Sequence, residues 1–196
     1  MDTVADEPTS TLQAARAQLR ADLRAHALVI GEVTLTSGRK AQYYVDAKRA
    51  ILLPDTFTAI GALVADRARA WGASAVGGVP VSAIPVACAA LAAGIPKAFI
   101  VRKERKEHGL QRWIEGPVLT PGERCVIVED VVTTGGSTIE ALERVRGEGL
   151  TVAGVVSVLD RLAGGAQAIK GALGEGQGRY EALTTIDEIY PQRPDR

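Results

Sequence analysis

The chain has 196 residues, equal numbers of basic and acidic residues (23 each) and a hydrophobic fraction of 46%. This length corresponds to one domain, and the composition is that of an ordinary folded protein. A formal net charge of zero lacks the basic excess of general nucleic-acid or anionic-membrane binders, so we expect neither partner. No apolar run approaches the ~20 residues of a membrane span, and the acidic N-terminus does not resemble a targeting peptide.

The two cysteines, Cys88 and Cys125, show no metal-binding or redox spacing. Each lies in an apolar segment, which predicts two buried thiols. A reducing, cytoplasmic location is expected from this cysteine usage.

Helical and strand-like apolar patterns follow one another along most of the chain. In chain order they predict a helix over 10–23, a strand or hairpin arm over 27–35, a helix over 55–71, a strand over 73–79, a helix over 83–93, strands over 97–102 and 124–130, a helix over 137–148, a strand over 151–160, a helix over 163–173 and a strand over 180–185. This alternation predicts an α/β fold with a mostly parallel sheet flanked by helices.

Residues 1–50 break the alternation, so we predict that they form an N-terminal tail, helix and small hood. Residues 51–196 would form the α/β core, and the whole would be one structural domain. In such sheets ligands bind outside the carboxyl ends of the strands, where we expect the functional residues.

Residues 124–141 combine a strand, two acids and a Thr/Gly/Ser run. Glu129 and Asp130 end the strand, and because strand side chains alternate, at least one of them should face the crevice. The run at 133–138 then enters a helix, where backbone N–H groups and the helix dipole form a site for an anion. A phosphate site beside carboxylates suits a phosphorylated sugar, although an ordinary strand–turn–helix with an acidic corner would give the same pattern. The run is neither a Walker A loop nor GxGxxG.

The string VIVEDVVTTGGS resembles the phosphoribosyl pyrophosphate (PRPP) motif of type I phosphoribosyltransferases. The resemblance implies the fold of that family, PRPP as a substrate and a catalytic role for Asp130. The PRPP-binding residues that it implies in this segment are Glu129, Asp130, Val131, Val132, Thr133, Thr134, Gly135, Gly136 and Ser137.

The basic run RKERKEHG at 102–109 resembles the catalytic loop RKxxKxHG of the orotate phosphoribosyltransferase family. A mobile basic loop can close over a pyrophosphate leaving group, neutralise its charge and exclude water, whereas a solvated charged loop is the plainer alternative. The resemblance implies PRPP binding by Arg102, Lys103, Lys106 and His108. It also implies catalytic roles for Lys106 and His108.

The segment SGRKAQYYVD at 37–46 resembles the substrate segment of the same family. The orotate-binding residues implied by this resemblance are Tyr44, Val45, Thr133 and Arg161. For Val45 the alternative is packing in the core or hood, and for Arg161 it is a surface ion pair. A planar guanidinium is nevertheless well matched to the carboxylate of orotate.

The chain departs from the family pattern at Thr36 and Ser82, where lysines that contact PRPP phosphates are usual. The resemblances together imply transfer of phosphoribosyl from PRPP to orotate in pyrimidine (UMP) biosynthesis. They also imply Mg²⁺ held mainly by PRPP oxygens, with no direct protein ligand, and a homodimer with shared active sites. A purine phosphoribosyltransferase and a non-catalytic PRPP-binding regulator are the alternatives.

Overall fold

A computed structural model of the protein describes residues 7–34, 38, 40–104, 112–174, 176 and 178–195. Its strands form a two-stranded hairpin and a six-stranded sheet. The strands are β1 (Leu28–Thr34), β2 (Lys40–Val45), β3 (Ala75–Gly78), β4 (Lys97–Val101), β5 (Ile114–Glu115), β6 (Arg124–Val132), β7 (Thr151–Asp160) and β8 (Arg179–Thr185).

The larger sheet has the strand order β5-β4-β3-β6-β7-β8, and all its neighbours are parallel except the short edge pair of β4 and β5. The helices are α1 (Glu7–Asp22), which continues as a π-helical turn (Leu23–Ala27), α2 (Lys48–Ile51), α3 (Pro54–Ala70), α4 (Ala83–Ala92), α5 (Gly136–Gly147), α6 (Gly165–Leu173) and α7 (Ile186–Ile189). The predicted mostly parallel α/β architecture is confirmed. β2, β5, α2 and α7 were not among the predicted elements, and β5, α2 and α7 are too short to show a periodic pattern.

The two faces of the sheet are buried under separate groups of helices. Along β6, Val126 and Val128 point into the core shared with α1, α3 and α4, whereas Cys125 and Ile127 point into the core shared with α5 and α6. Cys125 is buried as predicted, and burial raises the pKa of its thiol to about 12. The prediction for Cys88 is wrong: this side chain is exposed, on the side of α4 turned away from the sheet.

The N-terminal elements rest on the sheet's first helical layer. The hydroxyl of Thr56, in the first turn of α3, donates a hydrogen bond to Asp22 at the end of α1 (2.6 Å). Arg16 donates to the backbone oxygen of Leu183 on β8 (2.8 Å). These contacts fix α1 against the core, while the division of the chain at residue 50 stays a prediction.

Among the helices that the structure describes, none has the length and apolar character needed to cross a bilayer.

Candidate active site

The carboxyl ends of the parallel strands share one edge of the sheet, and the predicted acidic pair lies near the end of β6 there, followed within the strand by Val131 and Val132. Glu129 is buried, with 8% of its surface exposed, and Asp130 is half-buried. The hydroxyls of Ser137 and Thr138, in the first turn of α5, donate to the Oε2 atom of Glu129 (3.0 and 3.1 Å). The acid at the strand end and the start of the helix are therefore one hydrogen-bonded unit. Thr138 was not among the predicted site residues.

The environment of Glu129 opposes its negative charge. Burial raises the pKa of this carboxyl, and repulsion from Asp130 raises it further, to about 7, against the opposing hydrogen bonds from Ser137 and Thr138. An added positive charge at this edge, from a ligand or an ion, would favour the ionised form.

The predicted phosphate loop follows directly. Thr133, Thr134 and Ser137 are exposed, and Gly135 has a φ of +84°, a left-handed conformation that glycine adopts without steric cost. A Cβ atom on Gly135 would lie 3.0 Å from the backbone oxygen of Gly165. The loop is thus held against the segment that follows β7.

Gly136, the first residue of α5, differs from Gly135. A Cβ atom there would meet no atom within 4 Å, so this glycine borders open space at the helix N-terminus. Exposed hydroxyls and a helix N-terminus make this loop suited to a phosphate group.

Backbone pairing brings the predicted orotate-binding arginine to the same place. Val132, buried at the end of β6, pairs with Asp160 of β7. The N–H of Arg161 donates to the backbone oxygen of Val132 (2.9 Å), and Gly165 donates to Thr133 (3.0 Å). The backbone of Arg161 therefore lies beside the start of the phosphate loop. Val131, on the other face of β6, is half-buried.

The buried carboxylate of Asp160 stabilises this turn, which the sequence analysis did not identify. Its Oδ1 atom accepts from the N–H of Leu162 (2.7 Å), a non-glycine residue with a φ of +58°. Its Oδ2 atom accepts from the hydroxyl of Tyr180 (2.8 Å). Two hydrogen bonds thus hold the backbone that carries Arg161.

The side chain of Arg161 reaches the N-terminal hairpin. Its Nη2 atom donates to the hydroxyl of Tyr43 (2.8 Å), and the guanidinium lies 4.9 Å from the centre of the Tyr43 ring. Along β2, Tyr43 and Val45 are buried on one face, whereas Tyr44 is 38% exposed on the other. Of the predicted orotate-binding pair, Tyr44 faces solvent and Val45 faces the core.

Two of the four predicted basic-loop residues are described. Arg102, at the end of β4, pairs with Glu115 of β5, and Lys103 is exposed. Because β4 is parallel to β6, both lie at the edge that carries Glu129 and Asp130. Lys106 and His108 lie outside the described residues.

A further cation, Lys48, was missed by the sequence analysis. Its Nζ atom lies 2.7 Å from Asp46. The hydrogen bond with Asp46 raises the pKa of Lys48 most, and the charge of Asp130 raises it further. Lys48 thus contributes positive charge near the acidic pair; its signal in the sequence was its place just after the substrate segment.

The fold and the residues at this edge of the sheet are those of a phosphoribosyltransferase. A sequence model of the phosphoribosyl transferase domain matches residues 54–173. The orotate phosphoribosyltransferase of Corynebacterium glutamicum (strain R) is 45% identical over 157 residues, which cover 79% of this chain and 85% of that relative. The enzyme of the same name from Mycobacterium tuberculosis (strain ATCC 25618 / H37Rv) is 46% identical over 177 residues, or 89% of this chain and 96% of the relative.

Solved structures of orotate phosphoribosyltransferases have the same fold as this chain. The crystal structure of the Mycobacterium tuberculosis H37Rv orotate phosphoribosyltransferase in complex with PRPP superposes with a TM-score of 0.75 at 38% identity, covering 89% of this chain and 98% of that one. The present chain belongs to the orotate phosphoribosyltransferase family.

Proposed function

We propose that this phosphoribosyltransferase binds both substrates along the edge where β6 and β7 end, with PRPP on the β6 loop and orotate toward Arg161. The reaction moves the phosphoribosyl group of PRPP to orotate and gives orotidine 5′-monophosphate and pyrophosphate, a step of pyrimidine (UMP) biosynthesis. The observation that carries the proposal is the hydrogen bond from the backbone N–H of Arg161 to the backbone oxygen of Val132, which places Arg161 beside the start of the phosphate loop. The relative crystallised with PRPP supports it.

In this proposal the loop over Thr133–Ser137 binds the 5′-phosphate through its backbone N–H groups and hydroxyls. Asp130, the more exposed of the two acids, accepts hydrogen bonds from the ribose hydroxyls. Glu129 is held by Ser137 and Thr138, so it orients the loop and adds negative charge under the ribose.

The chemical step is a displacement at the anomeric carbon of the ribose. The bond from that carbon to the pyrophosphate oxygen breaks, and a bond to a ring nitrogen of orotate forms, without a covalent enzyme intermediate. Negative charge grows on the departing pyrophosphate, which Lys106, Arg102, Lys103 and His108 would stabilise. Positive charge develops on the ribose, which the carboxylates at the end of β6 favour.

The residues at this edge fit Mg²⁺. Hard carboxylate oxygens are suitable partners for this ion, and a cation at this edge would offset the burial and the repulsion from Asp130 that raise the pKa of Glu129. Glu129 and Asp130 would hold Mg²⁺ through its water molecules, while PRPP oxygens supply most ligands. When bound, the ion neutralises charge on the pyrophosphate.

We also propose that the enzyme acts in the cytoplasm as a homodimer with shared active sites. The family resemblance supports the dimer, and Leu52, Val81 and Leu91, which are 64%, 76% and 44% exposed, are apolar side chains available to a second copy. Residues 1–50 would serve as the hood over the orotate end of the site.

An absorbance assay of orotate consumption with PRPP and Mg²⁺ tests the substrate assignment. We expect orotate to be consumed only when PRPP is present, and adenine or hypoxanthine offered in its place to remain unchanged. Turnover of a purine without orotate loss would contradict the assignment. PRPP binding with no turnover of any base would favour the alternative of a non-catalytic PRPP-binding regulator.

A further inference from the structure

The C-terminal turn contacts the arginine that we assign to orotate. After α7 the chain turns back toward the hairpin, and the Oδ2 atom of Asp195 accepts a hydrogen bond from the hydroxyl of Tyr43 (3.0 Å). The same oxygen lies 3.7 Å from the Nη2 atom of Arg161. Three elements distant in sequence therefore meet at one guanidinium.

The orientation of the Arg161 guanidinium depends on Tyr43. Within the described part of the chain, its buried Nε atom has no hydrogen-bond partner, while its Nη2 atom donates to the Tyr43 hydroxyl. The edge of the Tyr190 ring packs on Tyr43, with the ring centres 5.4 Å apart. A tyrosine hydroxyl has one hydrogen to donate. Because it accepts from Arg161, that hydrogen is free to point at Asp195, and the three groups form a chain of charge-assisted hydrogen bonds.

Asp195 is itself anchored by Arg193, whose side chain is only 10% exposed. Arg193 donates through Nη1 to the backbone oxygen and Oδ1 of Asp195 (3.0 and 2.9 Å) and through Nε to Asp187 (2.7 Å). Partial burial raises the pKa of Asp195, but the hydrogen bonds from Arg193 and Tyr43 outweigh it, so the pKa lies below its ordinary value. The turn thus presents a fixed anion to Tyr43 at neutral pH.

We propose that Asp195 is a positioning residue for orotate binding: acting through the Tyr43 hydroxyl, it holds the Arg161 guanidinium in the orientation that receives the substrate carboxylate. A guanidinium already fixed in place loses little side-chain freedom when the ligand arrives, which improves affinity without touching the ligand. The inference rests on the proposed role of Arg161. It assigns the C-terminal turn to orotate binding rather than to chemistry at the ribose.

The test measures KM for orotate, KM for PRPP and kcat in Asp195→Ala, Tyr43→Phe and the double variant. We expect each single change to raise the KM for orotate roughly tenfold, because a hydrogen bond to a charged group is lost, with the KM for PRPP and kcat nearly unchanged. Since both residues act through one chain of hydrogen bonds, the double variant should resemble the single ones. Gln192→Ala, an exposed position in the same turn, is the matched control and should behave as the wild type.

Asp195→Asn separates positioning from folding, because the amide oxygen can still accept from Tyr43 while the charge is lost. Its KM for orotate should lie between those of the wild type and Asp195→Ala, at an unchanged Tm. A wild-type KM for orotate in Asp195→Ala, a lowered one, or equal rises in both KM values would overturn the inference. Arg161→Lys distinguishes the failures: if it too leaves the KM for orotate unchanged, the proposed role of Arg161 fails as well, whereas a selective rise there confines the failure to Asp195.

Discussion

At the scale of single residues, the folded protein disfavours the ionised form of the Glu129 carboxyl. The pKa of this carboxyl is raised to about 7 in the folded protein, first by burial and then by Asp130, whereas an unfolded chain gives it the ordinary value of 4.5. The folded state therefore binds this proton more tightly than the unfolded state. The contribution of Glu129 to stability consequently falls as pH rises from the unfolded to the folded pKa.

Replacing Glu129 by Gln should remove this pH dependence while keeping an oxygen that accepts from Ser137 and Thr138. Between about pH 5 and pH 8, the free energy of unfolding of the wild type should fall by roughly 2–3 kcal/mol relative to Glu129→Gln. Thermal melts of the two proteins across that range measure the difference as a Tm gap that changes by roughly 5–10 °C.

The control for that experiment is Glu123→Gln. The pKa of Glu123 is lowered to about 2, chiefly by the backbone N–H of Thr120 and the ammonium of Lys97, so this carboxylate is ionised in both states above about pH 5. Its Tm difference from the wild type should stay constant over the same range. An equally constant difference for Glu129→Gln would mean that Glu129 is ionised throughout and that the acidic pair is not repulsive.

At the scale of elements, the turn from β6 into α5 uses two adjacent glycines for different purposes. Gly135→Ala should lower the free energy of unfolding by at least about 1–2 kcal/mol, because the residue has a left-handed φ and its Cβ would crowd the oxygen of Gly165. Gly136→Ala should leave Tm nearly unchanged but raise the KM for PRPP several-fold, since its Cβ would project into the proposed phosphate site. Thermal melts and PRPP titrations on both variants make the comparison. A Gly136→Ala enzyme with a normal KM would move the phosphate away from this helix end.

The elements of the core could be predicted because their signals are local. The buried strand β6, its acidic end and the Thr/Gly/Ser loop occupy consecutive residues, so one stretch of sequence shows all three. The order of the strands was not predicted, since it depends on pairings between distant segments such as β3 and β6. The contacts around Arg161 could not be predicted, because they join distant parts of the chain. The hydrogen bond between Arg161 and Tyr43 spans 118 residues of sequence, and the one between Tyr43 and Asp195 spans 152. Lys48 was missed for a related reason: it begins α2, and its positive charge matters only because the fold brings it near Asp130 of β6.

At the scale of the whole molecule, the net charge of zero averages opposite local charges. Glu129 and Asp130 concentrate negative charge at the end of β6, while the run 102–108 holds four basic residues and His108. Such an arrangement suits a compact substrate with a sugar at one end and a pyrophosphate at the other, and it explains why neutrality does not oppose a polyanionic ligand. In the proposed homodimer, the two charges that face one PRPP molecule come from different subunits.

A heterodimer made from two inactive subunits tests this sharing. Lys106→Ala removes the proposed loop cation and Asp130→Asn removes the proposed ribose carboxylate, so each homodimer should lose most of its kcat. When the two variants are co-expressed with different tags and purified as the heterodimer, one site combines an intact β6 end with the partner's intact loop, whereas the other site carries both defects. If the loop acts across the dimer, about half of the wild-type activity should return.

The heterodimer of wild type with Asp130→Asn, which should also have about half the activity, calibrates the measurement. If the loop instead serves its own subunit, each site carries one defect, the mixed heterodimer stays inactive while the calibrating one does not, and the shared-site proposal is wrong.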